Sequence, residues 1–571
     1  MFNLGIHGAH NASVAISKDD KVLEVVEIER LMGIKNCGFF YYEAFHNPTS
    51  VLCFIRDYFK EKYGVEKYET IAVNCMPGDE EYHLLDYGDV FDYENYEHVF
   101  HHEAHASSAF YQSPYENALI ISFDGGSEEK FFNIYLAQDR QSPLKKLYCG
   151  KHDYAVSYMA CAHYIPHIRR EQIYIGNLVY PGKLMGYAAY GEPQEEYIKK
   201  FRKFYLSRHT DEVQDAAFDF GTIFGVGFRN INPGDPASDP YHEIDGPGFL
   251  DEKVARDVAA SNQYVFEELF YEEVKPFFDT YFDYPVVLTG GCALNIINNT
   301  KIAELREGEV FVPPNPNDTG IGLGCLLKTI KPYEQVDATY LGPEVWDKYK
   351  LAQYFGKYPN ADRYDPIEIA EKLFNGLIFG VVRGGSELGP RALGNRSLIC
   401  SAAHPVAKQV MNQNVKNREM YRPLSPIVRL EDAQKYFEWE YESRHMTYSV
   451  PVREEYREIL HAITHVDGTA RIQTVTEEQN EFIYELLCAM DEANNFAVLL
   501  NTSFNVAGKP ILNTYEEAFD ILETKPINGL IIEDYYFPSK TWEDKSPLYN
   551  YWPVNPQGKY KVKNQTDNFE F

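Results

Sequence analysis

Residues 1–27, MFNLGIHGAHNASVAISKDDKVLEVVE, decide the fold. Apolar runs at 2–6, 12–17 and 22–27 read as short strands, with the turn formers Gly8, Asn11, Asp19 and Asp20 between them. Further along, ALIISF at 118–123 stops at Asp124-Gly125-Gly126. That pattern predicts a buried strand with a tight turn at its carboxyl end, where ligands of open α/β sheets bind. PVVLT at 285–289 repeats it and stops at Gly290-Gly291. Between them, Val254, Val258, Val265 and Leu269 fall on or near one stripe of a helix over 254–275. LIFGVVR at 377–383 and FAVLL at 496–500 read as two more buried strands. The class is α/β.

The chain has 571 residues, 44% of them hydrophobic, enough for two large domains or several small ones. Pro332, Pro343, Pro359 and Pro366 fall in or just beyond a polar, tyrosine-bearing stretch at 331–365, where a domain boundary is expected. No internal repeat is evident in the sequence. The formal net charge is −31, which repels phosphate backbones and anionic lipid. Neither nucleic acid nor a membrane surface is an expected partner. The segment 235–252 carries Asp235, Asp239, Glu243, Asp245, Asp251 and Glu252 without Lys or Arg, and reads as a loop that could attract a cationic ligand. The polar tail 556–571 is expected to fray. Nine cysteines, none in a CxxC pair, fit a reducing compartment and give no thiolate zinc site. No secretory leader and no run of 18 apolar residues is present, so the expected location is cytoplasmic. Composition does not fix an oligomeric state.

Residues 98–111, HVFHHEAHASSAFY, hold His98, His101, His102 and His105. On a helix the pairs His101/His105 and His98/His102 each share a face, and either pair could grip a divalent metal. Asp124 ends the following strand. Asp318, in NPNDTGIGLG at 315–324, enters a Gly-rich helix that it could either cap or leave free to complete a two-His, two-Asp site. Such a donor set suits iron(II), manganese or zinc.

At this point a family resemblance appears. HHEAHA at 101–106, Asp124, GKLMGYAAYG at 182–191, TGGCALN at 289–295 and NPNDTGIGLG at 315–324 resemble the carbamoyltransferase family of nodulation and antibiotic biosynthesis. GSELGPRALGNRS at 385–397, NVKNREMYRPLSP at 414–426, HVDGTARIQ at 465–473 and NTSFNVAGKPI at 501–511 continue it through the second half. The resemblance implies an actin-like (ASKHA) N-terminal domain over 1–345, similar to the tRNA threonylcarbamoyl transferases. It implies a YrdC-like α/β C-terminal domain over 346–571. It puts the metal, iron in the family, on His101, His105, Asp124 and Asp318, and nucleotide contacts on Lys183, Gly290, Gly291 and Asn295. The family's N-terminal motif is His-Asp-Ala-Ser; this chain has His10-Asn11-Ala12-Ser13, so the histidine lacks its acidic neighbour. His10 is the residue expected to act as general base toward an acceptor hydroxyl.

Arg383, Arg391, Arg396, Lys408, Lys416, Arg418 and Arg422 are opposed within 383–422 only by Glu387 and Glu419. Clustered guanidiniums bind planar oxyanions bidentately. Arg471, Ser503 and Asn505 add donors. With the resemblance, Arg391, Arg396, Lys416, Arg418, Arg422, Arg471, Ser503 and Asn505 are expected to bind carbamoyl phosphate and ATP, with Mg2+ accompanying the ATP. The implied activity makes carbamoyl adenylate and passes its carbamoyl group to a hydroxylated small molecule or glycan, with some preference for a cationic one. Two rivals are a tRNA threonylcarbamoyl transferase, which the acidic charge opposes, and a catalytically inactive metal or nucleotide sensor, which Asn11 would permit. A hydrogenase-maturation carbamoyltransferase should carry CxxC pairs, and a sugar kinase leaves 383–511 unexplained.

Overall fold

A computed structural model describes residues 1–39, 48–74, 87–127, 130–165, 167–168, 178–207, 210, 213–224, 252–404 and 406–541. The acidic stretch up to residue 251 and the tail 556–571 lie outside the described residues.

The opening strands form as read: β1 (Phe2–His7), β2 (Ser13–Lys18) and β3 (Lys21–Glu27) make an antiparallel meander. β4 (Tyr68–Asn74) and β5 (Tyr93–His98) then add in parallel on the far side of β1, giving the order β3-β2-β1-β4-β5. The second sheet repeats this plan. β6 (Ala118–Ser127), β7 (Lys130–Ala137) and β8 (Lys145–Gly150) form a meander, and β9 (Val286–Thr289) and β10 (Val310–Phe311) add in parallel beside β6. The order is β8-β7-β6-β9-β10. The first half therefore contains an internal repeat of topology that the sequence does not show.

Two helices pack between these sheets. His101–Gln112 follows β5, and Ile321–Ile330 follows the Asp318 loop. Ala106, Ala109 and Phe110 of the first meet Leu323, Leu326 and Leu327 of the second in a shared apolar cluster that also holds Ala15 and Ile120. The helices approach closely because residue 324 is glycine: a Cβ there would collide with the Ala104 carbonyl. This contact brings the Asp318 loop over the histidine helix.

β11 (Asp362–Arg363), β12 (Phe379–Val382), β13 (Arg396–Ser401) and β14 (Ser425–Arg429) belong to a third sheet. A small ladder, β15 (Val450–Pro451) with β16 (Thr469–Ala470), stands apart. β17 (Gln473–Val475), β18 (Leu499–Ser503), β19 (Gly529–Ile532) and β20 (Tyr535–Pro538) complete the third sheet in the order β11-β20-β19-β12-β13-β18-β14-β17. The stretch from 331 to 365 lies along both halves. Val25 N–H donates to Leu341 O, and Gly342 N–H donates to Ser386 O. The largest apolar cluster runs from Leu119 and Phe123 in the second sheet to Leu398 and Phe537 in the third. Among the described residues, no helix is long and apolar enough to cross a membrane.

Candidate functional site

The histidine helix begins at His101, not at residue 98. His98 ends β5 and is exposed, so it shares no helical face with His102. His102 is engaged elsewhere: Nδ1 meets Ser122 Oγ at 2.7 Å and Nε2 meets Lys130 O at 3.1 Å. His101 and His105, one turn apart, have ring centroids 4.7 Å apart. Asp124 reaches His105 Nε2 at 2.9 Å through Oδ2. Asp318 Oδ1 lies 3.4 Å from the same nitrogen and 3.9 Å from His101 Nε2. The ligand atoms of His101, His105, Asp124 and Asp318 all fall within 4.8 Å of one another, and all four residues are buried.

The surroundings orient this set. Asp124 accepts from Gly125 N–H at 2.6 Å and from Gly291 N–H at 2.7 Å. Asp318 caps no helix; its carboxylate turns inward to the histidines. Burial alone would depress His105, but Asp124 and Asp318 overcome it and lift the imidazole to about 9. Burial would raise Asp318, yet His10, His101 and His105 hold it well below the usual carboxylate range. Neither ring nitrogen of His105 has a well-aligned hydrogen-bond partner, although both are fully buried and Nε2 lies beside carboxylate oxygens of Asp124 and Asp318. Two carboxylates and two imidazoles converging within 4.8 Å, with His105 Nε2 between two carboxylate oxygens and no aligned hydrogen bond to either, fit a divalent cation at their centre. The donors do not choose among iron(II), manganese and zinc.

His10 stands at the mouth of this site, one-third exposed, with Nε2 3.3 Å from Asp318 Oδ2. Its Nδ1 meets Asn11 Oδ1 at 3.2 Å. The sequence reading missed His7, at the end of β1. It is buried, its Nδ1 meets Asn74 Oδ1 at 3.0 Å, and its Nε2 lies 3.8 Å from Asp318 Oδ2. Asp318 thus shows one oxygen to His101 and His105 and the other to His7 and His10. Strand alternation puts His7 on the face of Asn3 and Gly5, opposite Leu4 and Ile6, so nothing in the sequence marks it as buried.

The four residues expected at a nucleotide are each engaged in contacts of their own. Gly290 and Gly291 pack against Phe123 and Asp124. Asn295 caps the helix Ile296–Leu305 through Asn298 N–H and is bonded to Gln263. Lys183 crosses to the second half and meets Glu419 at 2.9 Å.

Lys183 thereby joins the basic cluster. Arg391 is pushed down to about 10 by burial and by Arg422. Arg471 is driven well below the usual range by burial and then by Arg391, Arg418 and Arg422. Arg418 falls through burial and Arg422, and Lys416 through burial, Arg418 and Arg422. Lys35, from the first half, was not anticipated. Desolvation by the neighbouring groups crowded around it lowers it to about 8 although the residue is exposed at the surface, with Glu29 opposing and Arg422, Arg391 and Lys183 adding to the fall. Nothing in its neighbours GIKNCG marks it, because only the fold brings it across. Lys416 Nζ is held by Ser503 Oγ at 3.2 Å and Asn505 O at 3.0 Å. Arg471 Nε donates to Ser425 Oγ at 2.9 Å. Arg396 stands apart, its guanidinium bound to the carbonyls of Arg383, Gly384 and Asn395 and to Asn513 Oδ1. Cations gathered in one place, lowered first by burial and then by one another, make a site for a multiply charged anion.

Residues 83–327 match the family model described as Carbamoyltransferase N-terminus, and residues 370–538 match Carbamoyltransferase C-terminus. Nodulation protein NolNO of Sinorhizobium fredii is 30% identical over 93% of this chain and 79% of its own length. Nodulation protein NolO of Bradyrhizobium diazoefficiens is 31% identical over 76% of this chain and 77% of its own. The 3'-hydroxymethylcephem-O-carbamoyltransferase of Streptomyces clavuligerus is 34% identical over 44% of this chain and 48% of its own.

Proposed function

The chain belongs to the carbamoyltransferase family and is an enzyme that transfers carbamoyl groups; from that premise we propose that it is an ATP-dependent O-carbamoyltransferase working through carbamoyl adenylate. In this reading residues 1–345 form the transfer half. Residues 346–571 form a YrdC-like activation half, completed by Lys35 and Lys183. The observation that carries it is the gathering of Lys35, Arg391, Lys416, Arg418 and Arg471 from both halves into one group, with Lys416 held by Ser503 and Asn505 and Arg471 by Ser425.

Carbamoyl phosphate and Mg2+-bound ATP are both anionic, and that cluster neutralises them where they meet. Water cleaves carbamoyl phosphate to carbamate and phosphate. A carbamate oxygen attacks the α-phosphorus of ATP, and pyrophosphate leaves. In the transfer half, the acceptor hydroxyl attacks the carbamoyl carbon and AMP departs. Asn11 Oδ1 accepts from His10 Nδ1–H, which leaves the Nε2 lone pair to take the hydroxyl proton. Asp318 Oδ2 then faces the imidazolium that forms. A divalent ion held by His101, His105, Asp124 and Asp318 would supply Lewis acidity toward phosphate and acceptor oxygens. A hydroxyl acceptor agrees with the hydroxymethyl cephem in one relative's name; the class we assign is a hydroxylated small molecule or glycan.

The test is incubation with carbamoyl phosphate, ATP and Mg2+. Pyrophosphate, phosphate and AMP should appear only when carbamoyl phosphate is present. Pyrophosphate that ignores carbamoyl phosphate, or is absent, sinks the activation step. A mass screen of hydroxylated metabolites for a gain of about 43 Da then identifies the acceptor.

A further inference from the structure

The loop that presents Arg391 is held from the first half of the chain, at one residue. Gly389 N–H donates to Glu27 Oε1 at 2.6 Å, and Gly389 O accepts from Arg30 Nη2 at 2.7 Å. Glu27 Oε2 and Arg30 Nε close the triangle at 2.7 Å, with both side chains nearly out of solvent, at 2% and 3% exposure. Both polar groups of one peptide residue are therefore gripped by an ion pair 359 residues away in sequence.

Gly389 has a second neighbour. Its φ is +83°, and a Cβ there would collide with the Pro314 carbonyl and with Asn315. Those two residues begin the loop that carries Asp318. Asn315 Oδ1 in turn accepts from Gln112 on the histidine helix at 3.0 Å. On the other side, Glu387 Oε1 accepts the N–H groups of Leu393, Asn395 and Arg396, which makes the Arg391 loop a stiff unit. Residue 389 is thus the point where the anion loop, the metal loop and the helix Ile28–Met32 meet. The same helix leads to Lys35 and to Asn36, whose carbonyl receives the Asn11 N–H beside His10.

We propose that Glu27 and Arg30 are positioning residues that clamp Gly389 and so hold the activation site in register with the transfer site. The inference rests on the two-site reading above. Carbamoyl adenylate is a mixed anhydride: if water reaches its carbamoyl carbon, AMP leaves and the carbamate decays to carbon dioxide and ammonia. A joint that fixes the spacing of the two loops keeps that path closed. Neither residue touches substrate; each acts through the Gly389 peptide.

The test needs no acceptor. Full-length protein is mixed with carbamoyl phosphate, ATP and Mg2+, and pyrophosphate is followed with time. Wild type should release about one pyrophosphate per chain and then turn over slowly, because the adenylate is retained. Arg30→Met should keep the burst and raise the slow phase about tenfold or more. Glu27→Gln keeps an acceptor for Gly389 N–H but turns an amide N–H toward Arg30 Nε, so it should leak less than Glu27→Ala, which loses both contacts and should leak like Arg30→Met. Metal content per chain is measured on every variant. A slow phase unchanged in both Arg30→Met and Glu27→Ala overturns the clamp. So does a burst and slow phase that shrink together with bound metal, since that is damage to the fold. If Arg30→Met does not fold, the contrast between Glu27→Gln and Glu27→Ala decides. Absence of any carbamoyl phosphate-dependent pyrophosphate in wild type is a different result, which removes the two-site reading itself and this inference with it.

Discussion

At the scale of single residues, the two sites separate by which half-reaction each side chain serves. Arg471→Ala should cut carbamoyl phosphate-dependent pyrophosphate release by about 10²-fold or more, the usual penalty for losing a positioned charge-stabilising donor. His10→Ala should leave that release intact and slow transfer to an acceptor by about 10²–10⁴-fold. If both variants fail at the same step, the two-site assignment is wrong. Glu27 allows a pH test. Burial lifts its carboxyl to about 7, against the pull of Arg30. A carboxyl raised on folding stabilises the fold while protonated; that contribution is complete below its unfolded value of 4.5 and is lost as pH rises through about 7. Glu27→Gln stays neutral, so its thermal midpoint should gain on wild type across that window and hold the gain above it. The convergence of His101, His105, Asp124 and Asp318 was legible in sequence because the motifs that resemble the family carry all four. His7, Lys35 and the Glu27–Arg30 clamp were not, since each acquires its role only from contacts far along the chain. Arg396 shows the converse: local charge density put it with the anion ligands, while its guanidinium binds backbone carbonyls.

At the scale of elements, short apolar runs between turn formers identified seven of the twenty strands among the described residues, β1, β2, β3, β6, β9, β12 and β18, because burial on both faces needs little beyond apolarity, whereas the shorter or more polar strands carry no such run. The histidine helix was read three residues too long, since His98 continues the pairing of β5 with β4. The repeated strand order went unseen because the two meanders share a plan but no residues. The Gly-rich run after Asp318 has a packing reason: Gly324 lies against the backbone of the histidine helix. Gly324→Val should therefore force the two helices apart, at about 1–3 kcal/mol or more for overpacking. Denaturant unfolding would measure the loss, and metal content should fall with it, because Asp318 moves with its helix.

At the scale of the whole molecule, a net charge of −31 surrounds an internal basic site that both halves build. Anion binding there should raise stability. Inorganic phosphate at about 100 times its dissociation constant should add about 2.7 kcal/mol, seen as a higher thermal midpoint. Lys416 is buried and Arg391, Arg418 and Arg471 are half-buried, while Lys35 is exposed, so that gain should weaken in moderate salt but not vanish as surface pairing does. Any preference for a cationic acceptor should fade with salt; if acceptor affinity ignores ionic strength, the outer charge serves solubility alone.

The apolar cluster that runs unbroken from the second sheet into the third makes the two halves poor candidates for exchange. A hybrid that joins the first half of this chain to the second half of a relative about as distant as those at 30% identity would inherit a mismatched seam of close-packed side chains. Recombination in this lineage is therefore expected to preserve both halves together. A laboratory graft should succeed only when the residues of the seam travel with it.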